Sequence, residues 1–169
     1  MADGVFGVEV VTPEQSLFAG GARSVVLATS EGDLTVLDGH TPLVGDIVPC
    51  EVKVEQEDGV LSRLAVHGGF LQVDTSPGAA TGLAEGDGPL PGLSTRVTVL
   101  AGVAELAEEI DVPRAERAKE AATQRVNELG GGRGGGAPEE GAESVELSEA
   151  EHSLARAELR LAVASGTAA

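Results

Sequence analysis

The residues best suited to moving protons or attacking a substrate are His40, His67, His152 and Cys50, and they stand far apart in the sequence. General acid–base and nucleophilic catalysis need such a group within hydrogen-bond reach of a partner. None of the four sits in a local pattern that supplies one. Cys50 is the single cysteine, so no intrachain disulfide and no cysteine cage for a metal can form. The glycine-rich stretch around Arg133 resembles a phosphate loop in glycine content alone. It lacks the preceding strand and the Lys-Ser/Thr ending that phosphate chemistry needs, and it reads as a linker. Two polar turns, Glu31-Gly32-Asp33 and Gly39-His40-Thr41-Pro42, flank a short apolar run, with Gly and Pro in their ordinary turn roles. The expectation is a chain without catalysis of its own and without a metal.

The elements that would carry these residues fall into two kinds. Up to residue 104 the chain reads as β: Val52 and Val54 alternate with Lys53 and Glu55. Val60, Ser62, Leu64 and Val66 repeat the pattern, and Val97 and Val99 alternate with Arg96 and Thr98. Further runs cover 5–11, 24–28, 34–37, 43–48 and 70–73. Many short strands separated by turn residues predict an all-β sandwich. With no Trp or Tyr and three Phe, its core is expected to be built from Val, Leu, Ile and Ala. The Gly/Pro-rich segment 75–94 is expected to be an extended loop.

From residue 105 the period changes. Asp111 is placed to cap a helix whose first turn contains Pro113, where a missing N–H costs little. Ala115, Ala118, Ala122, Val126 and Leu129 form its apolar stripe, and the glycines at 130–132 end it. Ser148-Glu149-Ala150-Glu151 reads as a capping box opening a second helix, with Ala150, Leu154, Ala157, Leu161 and Ala164 as its stripe. The two should pair as an antiparallel hairpin across a Gly-rich linker at 130–146. The predicted organisation is a β-sandwich domain at 1–104 and a helical hairpin at 105–169.

The charge balance narrows the partners. Net charge is −17 over 169 residues, with −10 in residues 1–104 and −7 in 105–169. Phosphate backbones and anionic lipids call for clustered Lys and Arg, so nucleic acid and direct bilayer docking are excluded. The longest uncharged runs, such as 64–73, hold about 10 residues against the roughly 20 of a membrane-spanning helix. The first residues, Met1-Ala2-Asp3-Gly4, lack the basic flank and apolar run of a secretion signal, which predicts a cytosolic chain.

Four motifs, in order, carry a family resemblance. They are the run Val8-Glu9-Val10-Val11-Thr12-Pro13-Glu14-Gln15-Ser16-Leu17-Phe18-Ala19-Gly20; Ser30-Glu31-Gly32-Asp33-Leu34 through Gly39-His40-Thr41-Pro42-Leu43; Val66-His67-Gly68-Gly69-Phe70-Leu71-Gln72-Val73; and Val97-Thr98-Val99-Leu100-Ala101 leading to Ile110-Asp111. Together they resemble the epsilon subunit of the F-type ATP synthase over nearly the whole chain, apart from 79–93 and 130–144. The resemblance implies a sandwich of about ten strands followed by an α-helical hairpin. It implies a non-catalytic central-stalk role, coupling rotation of a proton-driven membrane ring of c subunits and the gamma subunit to ATP synthesis on alpha/beta subunits. It also implies peripheral attachment at the cytoplasmic face of the cell membrane. On that reading Glu31, Asp33, His40 and Pro42 are candidate contacts to the ring or to gamma.

The resemblance implies a second site. Some bacterial members bind regulatory ATP on the folded hairpin through an Ile/Leu-Asp-x-x-Arg-Ala motif and two arginines of the second helix. Ile110-Asp111-Val112-Pro113-Arg114-Ala115 matches, and Arg156 and Arg160 stand four apart on one helical face. Guanidinium forks would grip phosphate oxygens, with Glu105 and Asp111 accepting hydrogen bonds from ribose or base. The plainer reading makes Asp111 a helix cap and the arginines solvated partners of acids such as Glu149. Ala121 stands where some ATP-binding relatives carry a basic residue. The family hairpin can also brake ATP hydrolysis through basic residues of its second helix. Here Arg156 and Arg160 are offset by Glu149, Glu151 and Glu158, which predicts a weak brake. The alternative is a free-standing β-sandwich interaction module with a helical arm.

Overall fold

The computed structural model describes residues 4–75, 95–131 and 142–166. Among these described residues nine strands come first: β1 (Phe6–Val11), β2 (Ser16–Thr29), β3 (Gly32–Val36), β4 (Leu43–Ile47), β5 (Cys50–Gln56), β6 (Leu61–Val66), β7 (Gly69–Asp74), β8 (Arg96–Ala101) and β9 (Ala104–Leu106). A 3-10 turn, Ala107–Glu109, leads to helices α1 (Val112–Gly131) and α2 (Ala142–Ser165). The strands hydrogen-bond in the order β1-β8-β7-β4-β2-β5-β6-β9, with β3 on β2. Because β1 also pairs with β2, the sheet folds back over itself as a sandwich. The expected loop at 75–94 lies, beyond Thr75, outside the described residues.

Alternation makes the core. Val8 and Val10 of β1, Val52 and Val54 of β5, Leu71 and Val73 of β7, and Val97 and Val99 of β8 all point inward and are buried. The predicted aliphatic core needs one correction: Phe6, fully buried, is among its largest side chains. Val60 is corrected too. It is half exposed in the turn before β6, where its carbonyl accepts from the Gln56 N–H at 2.8 Å.

Strand β2 is longer than the expected run at 24–28. It pairs with β1 along its first half and with β5 along its second, and its register slips between Ala22 and Ser24. One extra residue there reverses which side chains face inward. Ala22 and Val25 are therefore both buried although three residues apart. A strict period-2 search breaks at this slip.

The chain forms two compact units, Met1–Glu109 and Ile110–Ala169. Strand β9 pairs with β6 through Ala65↔Glu105, so Glu105 belongs to the first unit. In the second unit α1 begins where the sequence indicates: the Arg114 N–H donates to Asp111 Oδ1 at 3.0 Å. Helix α2 begins at Ala142, not at Ser148, so the apparent capping box lies inside the helix and residues 142–146 of the expected linker are helical. The facing positions are seven apart, Ala115 and Ala122 on α1 and Ala150 and Ala157 on α2, all buried. Ala118, expected in the stripe, is exposed, because it lies about 60° off that line at 100° per residue.

Candidate functional site

The two polar turns lie at opposite ends of β3. Glu31 is in the β2–β3 turn and Asp33 near the start of β3, both exposed. His40 and Pro42 follow the far end of the strand. At 3.3 Å per residue, five residues put roughly 16 Å of strand between the pairs. The four candidates therefore form two separate surfaces.

Each surface is braced from within. At the first, Thr29 Oγ1 donates to the Gly32 carbonyl at 3.0 Å, and Ser30 Oγ donates to Asp46 Oδ1 of β4 at 2.7 Å. Gly32 has φ +124°, which a side chain would oppose. At the second, buried Thr95 holds the turn: its hydroxyl donates to Asp38 Oδ1 and accepts from the Gly39 N–H, both at 2.9 Å. The half-buried His40 ring spends Nδ1 on the Thr41 carbonyl at 2.8 Å. Asp38 and Thr95 were missed by sequence reading. The Asp-Gly pair signalled a turn there, but its brace comes from 56 residues further along the chain.

A third surface was also missed. In the ladder β4-β7-β8-β1, Asp46 pairs with Phe70, Phe70 with Leu100, and Leu100 with Val11, so the four form one row across the sheet. Leu71 and Val99 face the core, so the row faces outward. Phe70 is 62 % exposed, Leu100 46 %, and Val44 in the adjoining row 73 %. A shallow groove lined by Val11, Pro13, Gly69, Phe70 and Leu100 runs along it. Exposed aromatic and aliphatic side chains clustered on a rigid sheet are what a partner covers. The signal was present in the sequence: if Leu71 and Val73 face inward, Phe70 faces out.

The hairpin candidates are distributed as follows. The Asp111 carboxylate is engaged as a helix cap. Arg114 is exposed on the first turn of α1. Arg156 donates to Ser153 Oγ of its own helix at 3.0 Å, and Arg160 is half-buried one turn further on. Glu105 is half-buried in β9 of the other unit.

Of the residues that could do chemistry, Cys50 pairs with Val66 across β5 and β6 and so stands beside His67, the one pair of these residues that the ladder brings close. His40 lies before β4, His67 between β6 and β7, and His152 on α2. Among the described residues no group of three or more His, Cys, Asp or Glu is placed to hold a metal. Cys50 Sγ accepts from the Ala28 N–H at 3.4 Å and faces the Ala28 carbonyl at 3.8 Å. Burial pushes the thiol above its ordinary 9.0, opposed by the Ala28 hydrogen bond and reinforced by Asp33 and Glu51. The folded thiol thus holds its proton more tightly than the unfolded one. Its contribution is fully present below pH 9 and is lost as pH rises through the folded value. Iodoacetamide at about pH 7.5 is expected to label native Cys50 at least ~10-fold more slowly than the denatured chain. The urea midpoint should fall above about pH 9, less steeply in Cys50→Ala; equal labelling rates would refute the burial argument.

The described residues thus give a braced sheet body with an outward apolar row and two polar end surfaces, and a helical hairpin. Comparison with known proteins gives the family. Residues 5–77 match the ATP synthase Delta/Epsilon chain beta-sandwich domain, and residues 108–165 the long alpha-helix domain of the same chain. The ATP synthase epsilon chain of Desulforudis audaxviator is 38 % identical over 126 residues, covering 75 % of this chain and 77 % of the relative. That of Thermobifida fusca is 40 % identical over 122 residues, covering 70 % and 75 %. A chain in the solved Euglena gracilis mitochondrial ATP synthase (OSCP/F1/c-ring, rotational state 1) shares the fold. Its TM-score is 0.64 at 20 % identity, over 92 % of this chain and 78 % of that one. This chain belongs to the ATP synthase epsilon chain family, and so is a subunit of an enzyme complex. Among the described residues no helix is long and apolar enough to cross a membrane.

Proposed function

We propose that this chain is a non-catalytic central-stalk subunit of a proton-translocating F-type ATP synthase. It couples rotation of the membrane c-subunit ring and the gamma subunit to ATP synthesis, and sits peripherally at the cytoplasmic face of the cell membrane. The observation that carries the reading is the outward row Phe70–Leu100–Val11 on a sheet whose other face is a closed core. Torque needs a body that does not yield and a surface that grips. We assign the gripping surface to gamma and the acidic end at Glu31 and Asp33 to the polar loops of the ring, with His40 and Pro42 a separate contact. A pulldown from solubilised membranes, read by mass spectrometry, should recover the gamma subunit with this chain. Recovery of the chain alone would support a free-standing module instead.

The hairpin reading has two parts. Regulatory ATP would bind on the hairpin through Arg114, Arg156 and Arg160, with Asp111 as an acceptor. Here Asp111 would have to serve a ligand while capping α1, and Arg156 would have to leave Ser153, so affinity should be low. The brake on hydrolysis should be weak for the charge reason given above. Two measurements check this part. Arg160→Ala should abolish a weak ATP-binding signal, and truncation after Gly130 should change hydrolysis by the assembled complex less than about twofold. Unchanged ATP binding in Arg160→Ala removes the site, and a many-fold rise in hydrolysis removes the weak brake.

A further inference from the structure

The facing buried positions of the seam between α1 and α2 are small, Ala115, Ala122, Ala150 and Ala157, and the larger stripe residues Val126, Leu129, Leu154 and Leu161 are only half-buried, so apolar burial there is modest. What flanks the seam is charge. Lys119 Nζ of α1 lies 3.1 Å from Glu158 Oε1 of α2, and Arg125 Nη2 of α1 lies 3.2 Å from Glu146 Oε2 of α2. In both pairs the cation is on α1 and the anion on α2. The helices as wholes follow the same sense. Helix α1 carries Arg114, Arg117, Lys119 and Arg125 against three glutamates, and α2 carries five glutamates against two arginines.

We propose that these pairs form an electrostatic latch, so that ionic strength sets how readily the hairpin opens. The paired side chains are 46–58 % exposed, so dissolved ions reach them. Single exposed pairs are weak. Two of them, both running from α1 to α2, add to a seam whose facing buried side chains are all alanine. The latch concerns the hairpin alone and stands whether or not the coupling role does.

The sign of the salt effect makes the idea testable. A chain with net charge −17 repels itself, so screening should tighten an ordinary surface of this protein. A latch built on attraction must loosen instead. Amide hydrogen exchange on the full chain, in about 0.05 M and about 1 M KCl, reads both at once. Protection of the α1 amides at 115–129 is expected to fall roughly three- to fivefold with salt, while the strand amides hold or gain. The double variant Lys119→Glu/Arg125→Glu should lose α1 protection at low salt and regain some at high salt. Adding Glu146→Arg and Glu158→Lys to that variant should restore low-salt protection and its salt sensitivity. If salt leaves or raises α1 protection in the unmodified chain, the latch is refuted. It is equally refuted if the charge-exchanged quadruple variant stays as unprotected as the double variant while its strand amides remain protected.

Discussion

Replacing Phe70 and Leu100 together by threonine should weaken retention of the gamma subunit by at least about 100-fold while leaving the sandwich folded. The magnitude follows from what is removed. An aromatic anchor at the centre of an interface typically contributes about 2 kcal/mol or more, and its aliphatic neighbour adds to it. Threonine suits this test because it is a β-branched strand former, so strand propensity changes by less than about 1 kcal/mol. The two side chains are 62 % and 46 % exposed, so the free subunit buries little of what the change deletes. The measurement is paired: binding of the variant to gamma, and its melting temperature. Undiminished retention with unchanged melting would move the grip to another surface, and the end turns at Glu31 and His40 would be next to test. Lost retention with a collapsed melting curve would say that the row is structural.

The sequence is most legible where one rule acts alone. β5, β7 and β8 alternate cleanly, and their inward residues are Val52, Val54, Leu71, Val73, Val97 and Val99 as the period requires. Legibility ends where two rules compete or where the deciding partner is remote. The slip at Ala22/Ser24 follows from β2 serving two neighbours, which no local period records. At the start of α2 a capping pattern at Ser148 competes with good helix formers before it. The helix continues back to Ala142, and the Arg125–Glu146 pair adds support from α1. Ala118 fails as a seam residue because the buried line follows steps of seven, and a reading by threes and fours accepts either side of it. The candidate contacts were grouped by nearness in sequence. A five-residue strand between two turns separates them, since an extended chain carries its ends apart. The outward row was derivable from alternation, but its continuity from β4 to β1 needs the parallel pairing of β1 with β8, a long-range fact.

Gly69→Ala should be a costly single methyl in the sandwich. The added Cβ would stand 2.2 Å from the Leu100 carbonyl oxygen and 3.0 Å from Ala101 Cα, both backbone atoms of β8. No rotamer relieves such a clash. Either β7 and β8 part where Gly69 faces Ala101, or the chain tilts on its other side, where Gly69 faces Ile47. Overpacking against backbone in a paired strand costs about 3 kcal/mol. For a unit of about 100 residues that is a fall of roughly 12–24 °C in melting temperature. Gly45→Ala is the matched control. A Cβ there meets nothing within 4 Å, so melting should hold or rise slightly. The clash also bears on function, because Gly69 precedes Phe70 and the obstructing oxygen belongs to Leu100, two members of the proposed gripping row. A body that must transmit torque cannot have that row on a strand pair that slips. The close approach at Gly69 holds Phe70 and Leu100 side by side, and a variant that relieves the clash by sliding β7 should lose gamma before it loses its fold. Gly69→Ala with unchanged melting and unchanged retention would show that β7 and β8 have slack at this point and that the row does not depend on their close approach.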